Sequence, residues 1–407
     1  MKPLSNYRRT TQCCKTLAVF AALCLTAPFA HAEDWPLVRR DTLSSGVAES
    51  AVADEVEELW TYHAVEDAGF EATAIVVDGI VYVGDNAGTF HAVRLADGEV
   101  VWTNTFEDSS FLAGAAYDEG KLFVGDGNGT VRCLSAADGS EIWSATVDAE
   151  VYAGPMVHNG RVLVTCEAGL FASFDAATGE KQWQFQIDAP LRCTPTTVNG
   201  HTLLAGCDSK LHLIDAATGK QSTTIGIDAP TGAPAAVRGN RAYFGTEGGT
   251  FYAIDLPTAA DELPSVAWTY RDPDRGQPIR AAAAITDKLV VYGSQGKAVY
   301  ALDRATGEFK WKLPTRTRVD SSPVIAGDRV VAATDRGVLY ILIAESGEPT
   351  WQFDAGGSFS ASPIVVDGRI ILGNGDGTLY CFGSMTNAKE FTTESTEDTE
   401  DTEENDE

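Results

Sequence analysis

Between residues 56 and 384, short apolar runs alternate with glycine-containing turns, and the same order of runs and turns comes round repeatedly. Residues 151–183 show one unit. A strand of small residues from Tyr152 to Val157 meets a turn at His158-Asn159-Gly160, and a β-branched run follows from Arg161 to Thr165. A second turn passes through Glu167-Ala168-Gly169, Leu170 to Phe174 alternates, and an Asp-Ala-Ala-Thr-Gly corner leads into a strand through Trp183. Asn-Gly or Asp-Gly between apolar runs predicts tight antiparallel hairpins. The first turn recurs at Val77-Asp78-Gly79, Val198-Asn199-Gly200 and Val366-Asp367-Gly368. No stretch keeps a long 3.6-residue apolar period, so the reading is all-β.

The units are marked by an aromatic comb: Trp60, Trp102, Trp143, Trp183, a substituted Thr223, Trp268, Trp311 and Trp351. Seven of the eight tryptophans fall on it. Its spacing of about 40 residues is that of four-stranded propeller blades. The large aromatic is expected to dock each blade on its neighbour. The last unit supplies three strands (Ser360 to Val366, Arg369 to Leu372, Thr378 to Phe382), whereas the first opens on an orphan strand, Val56 to His63. Joining them closes a ring and removes the unpaired sheet ends. The expectation is an eight-bladed β-propeller over 56–384, with the N-terminal strand completing the last blade as its outermost strand.

The flanking segments differ in composition. Residues 1–32 have a basic start, an apolar run from Leu17 to Pro28 and the small-x-small pattern Ala30-His31-Ala32. These features predict a Sec-type signal peptide cleaved after Ala32. The apolar run is too short to span a membrane, and Leu23 before Cys24 is wrong for a lipid anchor. Residues 33–55 read as an acidic, weakly patterned lead-in, and 385–407 as a disordered acidic tail. The formal charge of −28 excludes the basic face that nucleic acid requires.

Beyond the leader there are five cysteines: Cys133, Cys166, Cys193, Cys207 and Cys381. They fit no metal-binding spacing and read as free buried thiols, with Cys193 and Cys207 the pair best placed for a disulfide. The mature histidines form no metal motif, and no nucleophile motif is present. Asp85 to Thr89, Asp126 to Thr130 and Asn374 to Thr378 carry many oxygen ligands. They are too short for a Ca²⁺ loop and are expected to be hairpin turns. Arg192 and Arg280 fall at matching positions near the start of innermost strands, and Arg316 and Arg318 precede another. Arg192, Arg280 and Arg318 are therefore candidate funnel contacts for a carboxylate or peptide acid. The alternative is pairing with local carboxylates such as Asp188, Asp228 and Asp320.

The Asp-Ala-Ala-Thr-Gly-x-x-x-Trp unit, the Ser/Thr-Pro pairs (Thr194-Pro195, Ser322-Pro323, Ser362-Pro363) and the Gly-Thr-x-Tyr/Phe-x-Ile/Leu-Asp strands resemble the pyrroloquinoline quinone (PQQ) repeat family over about residues 56–384. The resemblance implies the propeller and two functional branches. One contains quinoprotein dehydrogenases that use PQQ with Ca²⁺. The other contains non-enzymatic propellers such as BamB, the outer-membrane assembly subunit. This chain lacks the dehydrogenases' vicinal Cys-Cys in its mature region, their long insertions and a haem Cys-x-x-Cys-His; it also lacks BamB's lipidated cysteine. The expectation is a periplasmic or secreted monomer acting as a non-catalytic scaffold for envelope proteins or peptide segments, with no cofactor. The alternative is a PQQ-dependent oxidoreductase or PQQ binder.

Overall fold

A computed structural model describes residues 33–259, 261–274 and 276–384; the expected leader and acidic tail lie outside the described residues. Eight antiparallel blades form the fold. Blade 3 is typical, with strands Met156–His158, Arg161–Thr165, Leu170–Asp175 and Lys181–Gln186 from the axis outward. The first strands of adjacent blades lie against one another around the axis. They are shorter than the sequence pattern suggests. Pro155, Pro195, Pro323 and Pro363 each stand immediately before one, and proline has no N–H for the ladder, so the strand starts after it. In blades 1 to 4 and 8 the hairpin after the first strand has both turn residues in the left-handed region, as in Asn159 (φ 52°) and Gly160 (φ 69°). That geometry matches the strand twist and explains the Asn-Gly and Asp-Gly pairs.

Blade 8 is closed as expected. Glu57–His63 pairs antiparallel with Thr378–Gly383, placing Trp60 opposite Cys381 and His63 opposite Thr378.

Each tryptophan of the comb except Trp351, which packs on Phe353 and Phe382 instead, reaches the corner of the next blade. Its Nε1 donates to a corner carbonyl: Trp60 to Leu95 at 2.9 Å, Trp102 to Ala136 at 3.0 Å, Trp143 to Ala176 at 3.2 Å, Trp268 to Arg304 at 3.2 Å and Trp311 to Ala344 at 2.8 Å. The ring lies on the corner glycine so closely that a Cβ on Gly139 would stand 2.5 Å from Trp102, and one on Gly347 2.4 Å from Trp311. The glycine is thus required twice, for its positive φ and for the approach of the indole. Trp183 lies on Gly219 in the same way, but its Nε1 has no partner.

Backbone bonds on the opposite face complete the ring. The turn between second and third strands grips the incoming loop of its own blade and that of the next. Gly127 N–H donates to Ser110 O at 2.9 Å, and Val151 N–H to Asp126 O at 3.1 Å. The oxygen-rich segments are these turns. Asp126 accepts from Asn128 N–H at 2.9 Å and Thr130 N–H at 2.8 Å, and also from Ser109 and Arg132. Burial works against its charge, yet these donors hold its carboxyl below the usual range. Asp85 caps the equivalent turn and accepts from buried His91, whose other ring nitrogen meets the Tyr62 hydroxyl at 2.9 Å. All five described cysteines are free. Cys193 is enclosed in the core shared by blades 2 to 4, whereas the Cys207 thiol faces the Thr231 carbonyl.

Candidate functional site

Propeller ligand sites form where the first strands converge, and here the chain itself occupies that place. In each first strand the middle residue points its N–H and C=O away from the neighbouring strand, as alternation in an antiparallel ladder dictates. Eight such edges face the axis. The lead-in crosses among them and supplies the missing partners. Trp35 exchanges both bonds with Val76, at 2.7 and 3.1 Å. Carbonyls of Pro36, Thr42, Leu43, Ser45 and Gly46 accept from the N–H groups of Tyr117, Thr197, Val237, Ile285 and Ile325, at 2.8 to 3.0 Å. Six blades are thereby satisfied from the axis. Val47–Ala48 adds a short parallel strand to blade 7. Val38 packs beside Gly154 of blade 3, and Glu33 meets blade 8 through its N–H to Asp367 Oδ1 at 3.0 Å. The weakly patterned lead-in is therefore a plug touching every blade.

Arg39 locks it. The side chain is 2 % exposed and donates to the carbonyls of Ser322, Ala283 and Pro323, at 3.4, 3.2 and 2.8 Å. Burial pulls its pKa down to about 10, against the nearby Asp41 charge. Gly46 leaves room for it, since a Cβ there would stand 1.8 Å from Nη2. Trp35 is fully buried and Leu37 nearly so.

Above the plug remains a blind funnel of about 180 Å³, floored by Val38 and Arg39 and opening past Glu71, Tyr152 and Arg192. The three candidate arginines all stand on this face, already paired. Arg192 forms a two-pronged pair with Glu167, Arg280 one with Glu247 at 2.8 and 3.3 Å, and Arg318 meets Asp335 at 2.9 Å. Glu167 raises the Arg192 pKa and Glu247 that of Arg280. The partners differ from the local aspartates suggested by the sequence. Glu167 and Glu247 come from the preceding blade's turn, which the ring places beside each arginine. Asp320 is instead bonded to Gln295, and its carboxyl is raised by burial and by the Asp335 charge.

Arg318 also belongs to a second feature. It lines a cavity of about 710 Å³ with Lys297, Arg316, Arg336, Tyr340 and Asp354. Among the described residues Lys297, Arg316 and Arg336 form no ion pair. The cavity is a cationic spot on an acidic protein and can hold a carboxylate-bearing group. Lys297 and Arg336 sit in turns of adjacent blades; neither belongs to a sequence motif, so only the ring geometry joins them to Arg316 and Arg318. Among the described residues, no three His, Cys, Asp or Glu side chains converge as a metal site.

Comparison with known proteins agrees with this architecture. A family model described as outer membrane protein assembly factor BamB matches residues 97–312 and 299–399. The structure of BamB from Moraxella catarrhalis superposes with a TM-score of 0.70 at 16% identity, covering 81% of this chain and 100% of that one. Quinohemoprotein alcohol dehydrogenase from Comamonas testosteroni superposes with a TM-score of 0.69 at 17% identity, covering 86% and 80%. In sequence, a quinohemoprotein alcohol dehydrogenase of the same organism is 32% identical over 84 residues, which is 19% of this chain and 12% of the enzyme.

Proposed function

Because the chain belongs to the family described as outer membrane protein assembly factor BamB, we propose that it is a non-catalytic, protein-binding propeller of the periplasm or cell exterior. The observation that carries this reading is the plugged axis. A funnel of about 180 Å³ lies below the range of roughly 300–1,000 Å³ usual for small-molecule sites, and its arginines are engaged by carboxylates. What the fold offers instead is a rigid frame with exposed loops and blade edges. The cationic cavity around Arg316 and Arg336 suits an acidic segment of a partner. In this reading the leader directs the chain through the Sec route, and the mature protein is a monomer meeting envelope proteins. No helix among the described residues is long and apolar enough to cross a membrane.

The second reading is a PQQ-dependent oxidoreductase, favoured by the 84-residue similarity to the alcohol dehydrogenase. The residues over the axis do not fit a ring-sized quinone, because Val38 and Arg39 fill its place. Addition of PQQ and Ca²⁺ followed by absorbance and dye-linked alcohol oxidation separates the two. The scaffold reading expects no cofactor spectrum and no turnover, together with recovery of a specific envelope protein that Arg316→Glu/Arg336→Glu releases. A quinone spectrum with turnover, or recovery of nothing specific, overturns it.

A further inference from the structure

The seam between blades 4 and 5 departs from its neighbours on both sides. On blade 4, Thr223 pairs with Leu213 in the register where Trp102 pairs with Ala92, Trp143 with Cys133, Trp183 with Ser173 and Trp268 with Ala253. The indole is gone, and a larger residue opposite takes up only part of its space. On blade 5 the glycine corner is replaced by a longer connection from Leu256 to Ser265. Glu262 folds it back by accepting from Thr258 N–H and Oγ1, both at 2.7 Å. Together the two changes leave a groove of about 590 Å³ walled by Leu203, Leu213, Leu256 and Leu263, with Thr223 and His201 beside them. Leu263 is 76 % exposed. Leu203, Leu213 and Leu256 are buried at its floor, so the apolar surface it offers a ligand is chiefly that of Leu263, with polar groups around it.

We propose that this groove receives an aromatic side chain, an indole first of all, from an extended segment of a partner protein with basic residues beside the aromatic. The chain itself specifies the occupant: at six other seams an indole fills this place and lies on the next blade's corner glycine. Leu256 supplies the carbonyl equivalent to those that accept from Trp Nε1. Asn240 already donates to it, and a carbonyl oxygen can accept a second bond. The partner's backbone has a place too, since the outermost strand Gln221–Gly226 pairs on one side only and leaves an edge open to an added strand. Asp261 on the rim and the acidic chain as a whole select basic neighbours.

The inference extends the scaffold reading to one surface and fails separately from it, because its test involves neither PQQ nor an envelope extract. The peptide acetyl-Lys-Trp-Lys-amide is titrated calorimetrically into the intact protein, beside acetyl-Lys-Ala-Lys-amide. The tryptophan peptide is expected to bind one per chain and the alanine peptide at least about tenfold more weakly, the loss of one buried aromatic contact. Thr223→Trp, which fills the groove from within, and Leu263→Asp, an exposed change that leaves the fold intact, are each expected to weaken binding by at least about tenfold. No binding to the unaltered protein, equal binding of the two peptides, or undiminished binding to Leu263→Asp overturns the proposal.

Discussion

The axis and the seam between blades 4 and 5 are gaps left by one repeat, and the chain treats them differently. At the axis, eight first strands turn backbone groups inward, and a segment from outside the repeat is threaded through to satisfy six of them. At the 4/5 seam, the residue that seals its counterparts is missing and nothing in the described chain replaces it. A buried unpaired N–H costs about 1–3 kcal/mol, so an open axis penalises folding in many blades at once. An apolar groove at one seam costs little, because its walls remain packed against their own strands. The difference separates a gap the fold must fill from one it can leave for a ligand.

Removing residues 33–50 is the harshest way to break the comparison. Six inner-edge N–H groups lose their acceptors, and Trp35 and Leu37 lose their burial. The expected loss exceeds about 5 kcal/mol, read as failure to accumulate folded protein, whereas shortening the 257–263 loop leaves a folded chain. Next in size is the indole itself. Trp143→Ala removes a buried ring and its bond to Ala176, at a cost of about 3–5 kcal/mol in denaturant unfolding. Thr223→Ala at the same register costs less than about 0.5 kcal/mol, and equal losses at the two positions erase the distinction between seams. Arg39→Ala leaves three carbonyls unpaired at the funnel floor and is expected to cost about 1–3 kcal/mol.

A smaller, pH-dependent effect is at the 5/6 seam, where Asp272 joins Lys312 at 2.7 Å and also accepts from Tyr300. Burial raises the Asp272 pKa, but these donors outweigh it and set the value at about 2. The folded value lies below the unfolded one. The bond's contribution is therefore present above about pH 4 and lost as pH falls through about 2. The Asp272 carboxylate is largely covered while the Lys312 end of the pair stays partly open to solvent, so Asp272→Asn is expected to cost about 1 kcal/mol at pH 7, with the gap to the unaltered protein closing near pH 2.

The blades were legible because their determinants are side chains at fixed spacing. The comb from Trp60 to Trp351, the corner glycines and the Asn-Gly turns each have one structural use, and they fix blade number and closure. The plug was hidden because it works through backbone carbonyls, which leave no periodic trace; only Trp35, Arg39 and Gly46 mark it. The positions of Arg192 and Arg280 before the first strands are visible in the sequence, but their partners Glu167 and Glu247 lie 25 and 33 residues away in another blade, a proximity set by the ring. Thr223 was visible as a break in the comb. That the break opens a groove depends on the corner between Leu256 and Ser265, which no local pattern marks.

The plugged axis is tested most directly by hydrogen exchange resolved at single amides. The N–H groups of Val76, Tyr117, Thr197, Val237, Ile285 and Ile325 have no partner within their own blades. Protection of all six at the level of the blade interiors is the result expected from their bonds to the lead-in. Exchange of these six at the rate of exposed loops, with the neighbouring strands still protected, contradicts the closed axis and the functional reading built on it.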